Sequence, residues 1–461
     1  MGGFGNVLSG RRGLGIIAAA AVAVIAAVAV ALIFATRSSP ASEPAGETPT
    51  ATATRTTPTA TATASPTPDT VRFAGILDGV PMTEAEWQAR KDLLPIAVMI
   101  DNTPNSYPHA GLDRADLIYE ALVEGGITRL MAVYWRHEAD LIMPVRSART
   151  PFVIWVDELG ALYAHAGSAT TTNEANAAGQ IIEWGIKDLN AFSPGSNAAY
   201  YRDTSRYAPY NLATSTGALR QAAVALGLSG PPAVESWKFR NPSDPPASGA
   251  PAEGIEVDFS GRRNAWQLIQ WKWDPERRAY GRYQFGGPFT DAASGNQLFA
   301  TTVIVMRTEA RVVDDSGHVL LDQFGEGPAT VFTGGRAIEG TWRKADRKAH
   351  TRFYDRAGNE IAFERGPTFI EVISQTGEFS ITASAADLPP LPTYVPPPPS
   401  AGPIEDDDLP PEPTATPTPE PPTLTPSPSP MAPSPTAPAA SPLPDSGSAT
   451  APANGSPTST P

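Results

Sequence analysis

Two long stretches of Thr, Ala, Pro and Ser bracket this chain and confine any globular fold to what lies between them. From Ser38 to Thr70 the only charges are Glu43, Glu47, Arg55 and Asp69. From about Pro389 to Pro461 the bias returns, in repeats such as Thr-Pro-Thr-Pro and Pro-Ser-Pro-Ser. Such segments bury too little apolar surface to offset the entropy of ordering them. Residues 36–70 are therefore expected to be a disordered linker and residues 389–461 a disordered tail. An extended 33-residue spacer reaches roughly 100 Å at about 3.1 Å per residue, enough to lift a domain off a membrane and into a wall layer.

Ahead of the linker, Gly13 to Ala35 is an uncharged run of Gly, Ala, Val, Ile, Leu and Phe, preceded by Arg11 and Arg12. As a helix its 23 residues span about 34 Å at about 1.5 Å each, the thickness of a bilayer core. The two arginines place residues 1–12 in the cytoplasm and everything after the span outside. A cleaved signal peptide is the rival reading, but the run is long for an h-region and Ile33-Phe34-Ala35 is a poor cleavage site. The sequence thus predicts a single-pass anchor over 13–35 with the folded part on the extracytoplasmic side.

The chain has no cysteine, which excludes disulfides, thiolate metal sites, a cysteine nucleophile and lipid attachment through a cysteine. Residues 71–388 carry 30 of the Lys and Arg and 38 of the Asp and Glu, a balance of −8 within a total of −14. No basic run stands out, so no nucleic-acid partner is expected.

A seam rich in Pro, Ser and Ala at 241–253 (NPSDPPASGAPAE) divides the folded part into 71–240 and 254–388. In the first segment Thr83 and Glu86 form a capping box for a short helix through Arg90. Ile96–Ile100, Leu117–Val123, Leu130–Trp135 and Ala161–His165 read as strands. Asn173–Trp184 and Ala218–Leu226 read as helices, the second ending near Gly227. This mixture predicts an α/β sandwich. The second segment is strand-dense, with Trp266–Trp273, Ala279–Phe285, Thr301–Arg307, Ala329–Phe332 and Thr368–Ile373 separated by turn signals. It predicts a mainly antiparallel β domain.

Several unusual segments occur in order: PIAVMIDN (95–102), GLDRADLIYEALVEGGITRLMAVY (111–134), PVRSAR (144–149), YAHAGS (163–168) and YRDTSRYAPYNLATST (201–216). Together they resemble the YerB-like lipoprotein family. WKWDPERRAYGRYQFGGPFTDAASGNQLFATTVIV (271–305) and GRAIEGTW (335–342) resemble its C-terminal domain. The resemblance implies a three-layer ββα-type first domain, export to the envelope, and no assigned reaction. Two departures stand out. Family members are usually anchored by a lipidated cysteine, and they often carry a histidine where Tyr210 stands here.

Arg146 and Arg149 are three apart, which on a helical turn gives them one face. Arg129 and Arg202 lie in neighbouring motif segments, as do Ser168 and Asn211. Guanidinium forks bind carboxylate and phosphate in bidentate fashion, so these residues form a candidate anion site. Internal pairing with Asp101, Asp116, Glu120 or Glu124 is the alternative. Asp101 ends a buried strand and Glu124 precedes Gly125-Gly126, so the two carboxylates are candidates for acid–base work or for Mg²⁺ or Ca²⁺. His165 sits between a strand and a helix and completes the candidate catalytic set. No histidine pair has helical zinc spacing, so neither a structural metal nor a cofactor is expected.

Two functions follow from this reading. One is a membrane-anchored binding protein for an anionic wall polymer or envelope protein. The other is an exported hydrolase or transferase acting on wall glycan or a phosphate ester through Asp101, Glu124 and His165.

Overall fold

The computed structural model describes residues 71–241, 243–245 and 247–393. The anchor expected at 13–35 and most of the two low-complexity segments lie outside the described residues. Among the described residues no helix is long and apolar enough to cross a membrane.

Four helices are present among these residues: α1 (Glu84–Arg90), α2 (Thr150–Leu159), α3 (Ala177–Glu183) and α4 (Thr216–Ala225). Thr83 caps α1 as the sequence predicts, its hydroxyl accepting from the Glu86 amide at 3.2 Å. α3 is shorter than the helix expected from Asn173. Asn173 accepts the Ala175 amide through its side chain, and Asn176 caps the helix by accepting from the Gly179 amide.

The first segment contributes β1 (Ile96–Asp101), β2 (Leu117–Leu122), β3 (Thr128–Tyr134), β4 (Leu162–His165), β5 (Lys187–Asn190), β6 (Tyr201–Arg202) and β7 (Leu212–Ala213). Next come β8 (Ala250–Pro251), β9 (Gly254–Asp258), β10 (Leu268–Asp274), β11 (Ala279–Gln284), β12 (Gly287–Pro288), β13 (Phe299–Ala300) and β14 (Thr302–Arg307). The last are β15 (Ala310–Val312), β16 (Val319–Leu321), β17 (Gly325–Thr333), β18 (Arg336–Lys344), β19 (Arg352–Asp355), β20 (Thr368–Ile373) and β21 (Glu378–Thr382).

One sheet of 11 strands runs in the order β19-β18-β17-β14-β20-β2-β3-β1-β4-β5, with β8 on β18. It takes strands from both sides of 241–253. The join is the parallel pair β2–β20, in register from Leu117↔Thr368 to Ala121↔Val372. A second sheet of six strands, β12-β11-β10-β9-β21 with β13 on β11, is antiparallel throughout.

Period-2 alternation divides the large sheet between two cores. Val98, Ile100, Ile118, Val303 and Phe369 point into one, together with Ile255, Ile269 and Trp271 of the small sheet and Leu219 of α4. Met99, Tyr119, Met131, Ile304 and Ile370 point into the other, against Phe152, Trp155 and Val156 of α2. The result is a mixed α/β fold with a β-rich C-terminal part and few helices.

Candidate functional site

The site is assembled where β1 and β4 part. Their parallel pairing runs from Ile96↔Leu162 to Val98↔Ala164. Beyond it, the PVRSAR segment threads between them in extended form. The Arg146 amide donates to Met99 O at 2.9 Å, the Ala166 amide to Arg146 O at 3.0 Å and the Ala148 amide to Gly167 O at 2.9 Å. Arg146 and Arg149 therefore do not share a helical face, which corrects the expectation from their spacing. Helix α2 starts immediately after them, with Arg149 as an N-cap that makes no side-chain capping bond.

The arginines gather around the two carboxylates named from the sequence. Asp101 Oδ2 lies 2.7 Å from Arg146 Nε, in an alignment that falls short of a hydrogen bond. Its other oxygen accepts the Thr103 amide at 2.7 Å. Glu124 accepts from Arg149 Nε at 2.7 Å and from Arg149 Nη2, and from Arg129 Nη2 at 3.3 Å. Arg129 also donates to Ser147 O at 2.8 Å, and Arg149 to Ala148 O at 2.9 Å. Internal pairing of Arg129, Arg146 and Arg149 is thus present, through Asp101 and Glu124. The other two carboxylates weighed for it go elsewhere: Asp116 meets His137 and Glu120 meets Arg282.

Three guanidinium groups share two carboxylates, and the imbalance is felt. Burial pushes Glu124 up, but Arg129 and Arg149 outweigh it and hold the carboxyl at about 2. Burial, followed by the charge of Arg149, brings Arg129 down to about 10. The Nε atoms of Arg129 and Arg146 have no hydrogen-bond acceptor among the described residues. Arg146, one-fifth exposed, adds only a cation–π contact with Tyr210, its Cζ 5.9 Å from the ring centre. Glu124 is placed by a turn in which Gly125 and Gly126 take φ of 66° and 72°, the left-handed region that favours glycine.

His165 turns away from this group. Its Nδ1 meets Gly167 O at 2.7 Å and its Nε2 meets Asp188 Oδ1 on β5 at 2.7 Å. Among the described residues no hydrogen bond joins it to Asp101 or Glu124. Ser168 takes part through its backbone, in a bridge to Ala148. Arg202 is exposed and donates to Asn211 Oδ1 at 2.9 Å. Tyr210 stood out in the sequence only as a departure from the family, and Asp188 not at all, since both face their partners only once β5 and the 201–216 loop are folded against the strand ends.

The two family-model matches and the relatives agree with one another. Residues 79–229 match the N-terminal domain, and residues 255–370 the C-terminal domain, of the family described as Protein of unknown function (DUF3048). The chain belongs to this YerB-like family. It is similar to the Bacillus subtilis (strain 168) protein named "Putative lipoprotein YerB", at 25% identity over 288 residues, covering 62% of this chain and 83% of that protein. The crystal structure of YerB from Bacillus subtilis superposes with a TM-score of 0.57 at 23% identity, over 67% of this chain and all of that one, and supports the fold.

One further polar cluster lies apart from these arginines in this family member. Asp78, Asp116 and His137 bring ligand-type atoms within 4.8 Å of one another. There, however, Arg136 Nε holds Asp78 at 2.5 Å, and Asp116 Oδ2 accepts the amides of Trp135 and Arg136. A guanidinium already stands where a cation would bind. His109 is fully buried between Tyr107 and Phe289, its Nε2 2.6 Å from Asp101 O. Burial lowers its pKa to about 4, so it is held neutral.

Proposed function

We propose that this protein is a membrane-anchored, extracytoplasmic binding protein that takes an anionic envelope ligand at the Arg146 cluster. The observation that carries the reading is the excess of guanidinium over carboxylate among Arg129, Arg146, Arg149, Asp101 and Glu124. By count the excess lies with Arg129 and Arg149, which share Glu124, but the accessible unfilled donors are on Arg146, whose Nη atoms make no hydrogen bond to a described residue and whose side chain reaches solvent. A carboxylate or phosphate of a wall polymer supplies the acceptors these nitrogens lack. Binding is favoured over hydrolysis because both candidate acid–base carboxylates are engaged by arginine, and both His165 nitrogens are engaged elsewhere.

The test is the melting temperature of the full-length chain in detergent, titrated with poly(glycerol phosphate), inorganic phosphate and poly-glutamate. A ligand that binds only the folded state stabilises it by about 2.7 kcal/mol at a hundredfold excess over Kd. The expected result is a rise with one of the polyanions that is lost in Arg146→Ala. No rise with any of them, from a folded protein, would sink the proposal.

A further inference from the structure

A second groove lies on the α2 side of the large sheet, between α2, α3 and the β15–β16 ribbon. It encloses about 1060 Å³, within the range of small-ligand sites or slightly above it. Its apolar surface comes from Ile154, Trp184, Leu320, Leu321 and Phe324. Phe324 is 43% exposed, and Ile182 of α3 and Val312 of β15, on the elements that bound the groove, are 82% and 66% exposed. Of these only Phe324 lines the groove, where an exposed aromatic ring beside Ile154, Trp184 and Leu320 gives a ligand an apolar face to cover.

The polar atoms say what that something is. Gln180, on the groove wall, gives its Nε2 to Glu174 O, while its Oε1 is buried with no donor. Gln323, between the groove residues Asp322 and Phe324 and only 1% exposed, gives its Nε2 to Pro151 O and likewise leaves Oε1 without a donor. Gln323 does not line the groove, so it is the orphaned Gln180 oxygen that calls for a ligand donating hydrogen bonds. The charged residues are of both signs: Arg311 pairs with Glu174, and Arg347 pairs with Asp157 and stacks on Trp184 at 4.6 Å. Glu309, Asp322 and Asp346 add carboxylates that form no ion pair among the described residues, Asp346 accepting only the amides of Lys348 and Ala349, so a polyanion is disfavoured. Both arginines are already neutralised by Glu174 and Asp157, so the remaining carboxylates and the Gln180 oxygen favour a ligand rich in hydrogen-bond donors.

We propose that this groove binds a neutral, hydroxyl-rich glycan. Sugar C–H faces cover the apolar floor, and sugar hydroxyls or acetamido N–H groups donate to Gln180 Oε1 and the rim carboxylates. The site is separate from the arginine cluster and does not depend on the reading given to it.

Isothermal titration of the full-length chain in detergent with chitohexaose and cellohexaose tests this. At least one is expected to bind, with a tenfold or greater loss in Trp184→Ala and Phe324→Ala and no change in Arg146→Ala. Gln180→Ala, a part-exposed helix position, is expected to weaken binding several-fold and decides the matter if Trp184→Ala does not fold. Absence of binding by either sugar overturns the proposal. So does binding that survives all three groove variants, or that is lost in Arg146→Ala alone.

Discussion

Arg146 differs from its neighbours in having somewhere to go. Arg129 is 3% exposed and anchored on Ser147 O and Glu124, whereas Arg146 carries an ion pair, an aromatic face and open solvent. Arg146→Lys keeps the charge beside Asp101 but loses the planar fork. It is expected to lower affinity for the anionic ligand about tenfold, roughly 1.4 kcal/mol, with the melting temperature of the free protein nearly unchanged. Equal affinity in calorimetry would mean that a point charge suffices. Glu124 gives a second expectation at this scale. Its folded pKa, at about 2, is depressed from 4.5, so its contribution is present above pH 4.5 and is lost as pH falls towards 2. The shift corresponds to about 3 kcal/mol at ~1.4 kcal/mol per unit. Denaturant titrations between pH 6 and pH 2.5 are expected to show a steeper acid loss in the parent than in Glu124→Gln; parallel curves would contradict it. Asp101 was legible in the sequence as a strand end and Glu124 as the residue before a glycine turn, and the three arginines by their spacing and their place in the motif segments. Which arginine pairs with which carboxylate was not, because the extended path of 145–149 is set by tertiary pairing.

Among the elements, the strands were read well and one helix was missed. Period-2 patterns and turn signals placed β1 to β4, β10, β11, β14 and β20 within a residue or two, caught only part of β17, and gave no sign of β9, β18, β19 or β21. α2 gives no amphipathic period, because every residue from Thr150 to Leu159 except Asp157 is buried, and its Val and Ile content suggests a strand. Pro151 near its start and Gly160 at its end, with φ of 57°, were the available signals. Also invisible in sequence is the polar knot between the sheets. Arg282 of β11, fully buried, donates to Glu120 of β2 at 2.8 Å and to Glu371 of β20 at 3.0 Å, across 162 and 89 residues of chain. Trp271 Nε1 also donates to Glu371, at 2.9 Å. Burial and then the charge of Glu120 push the Glu371 carboxyl well above its usual range. Arg282→Met strands two buried acids and is expected to cost about 3–5 kcal/mol. Adding Glu120→Gln and Glu371→Gln to it is expected to recover much of that, measured by urea unfolding. A neutral single variant would show that the knot contributes nothing to stability.

At the scale of the molecule, the seam at 241–253 is a boundary in composition and not in the sheet. β2 is flanked by β3 on one side and by β20 on the other, and β20 comes from the far end of the folded part. Glu120 and Glu371 sit opposite each other in that register, under Arg282 from the small sheet. Parallel pairing between strands so far apart cannot be read from local pattern, since nothing in either strand names its partner. The consequence is testable by cutting the chain without removing any of it. With a protease site inserted between Ser248 and Gly249, the two halves are expected to co-elute in gel filtration after complete cleavage, and to melt in one transition. Residues 71–240 made alone lose the partner of β2 and the arginine that neutralises Glu120. They present an unpaired apolar strand edge, which favours aggregation. A soluble, cooperatively folding 71–240 would show that the first segment closes its own core, and that the continuous sheet is an association of two finished domains.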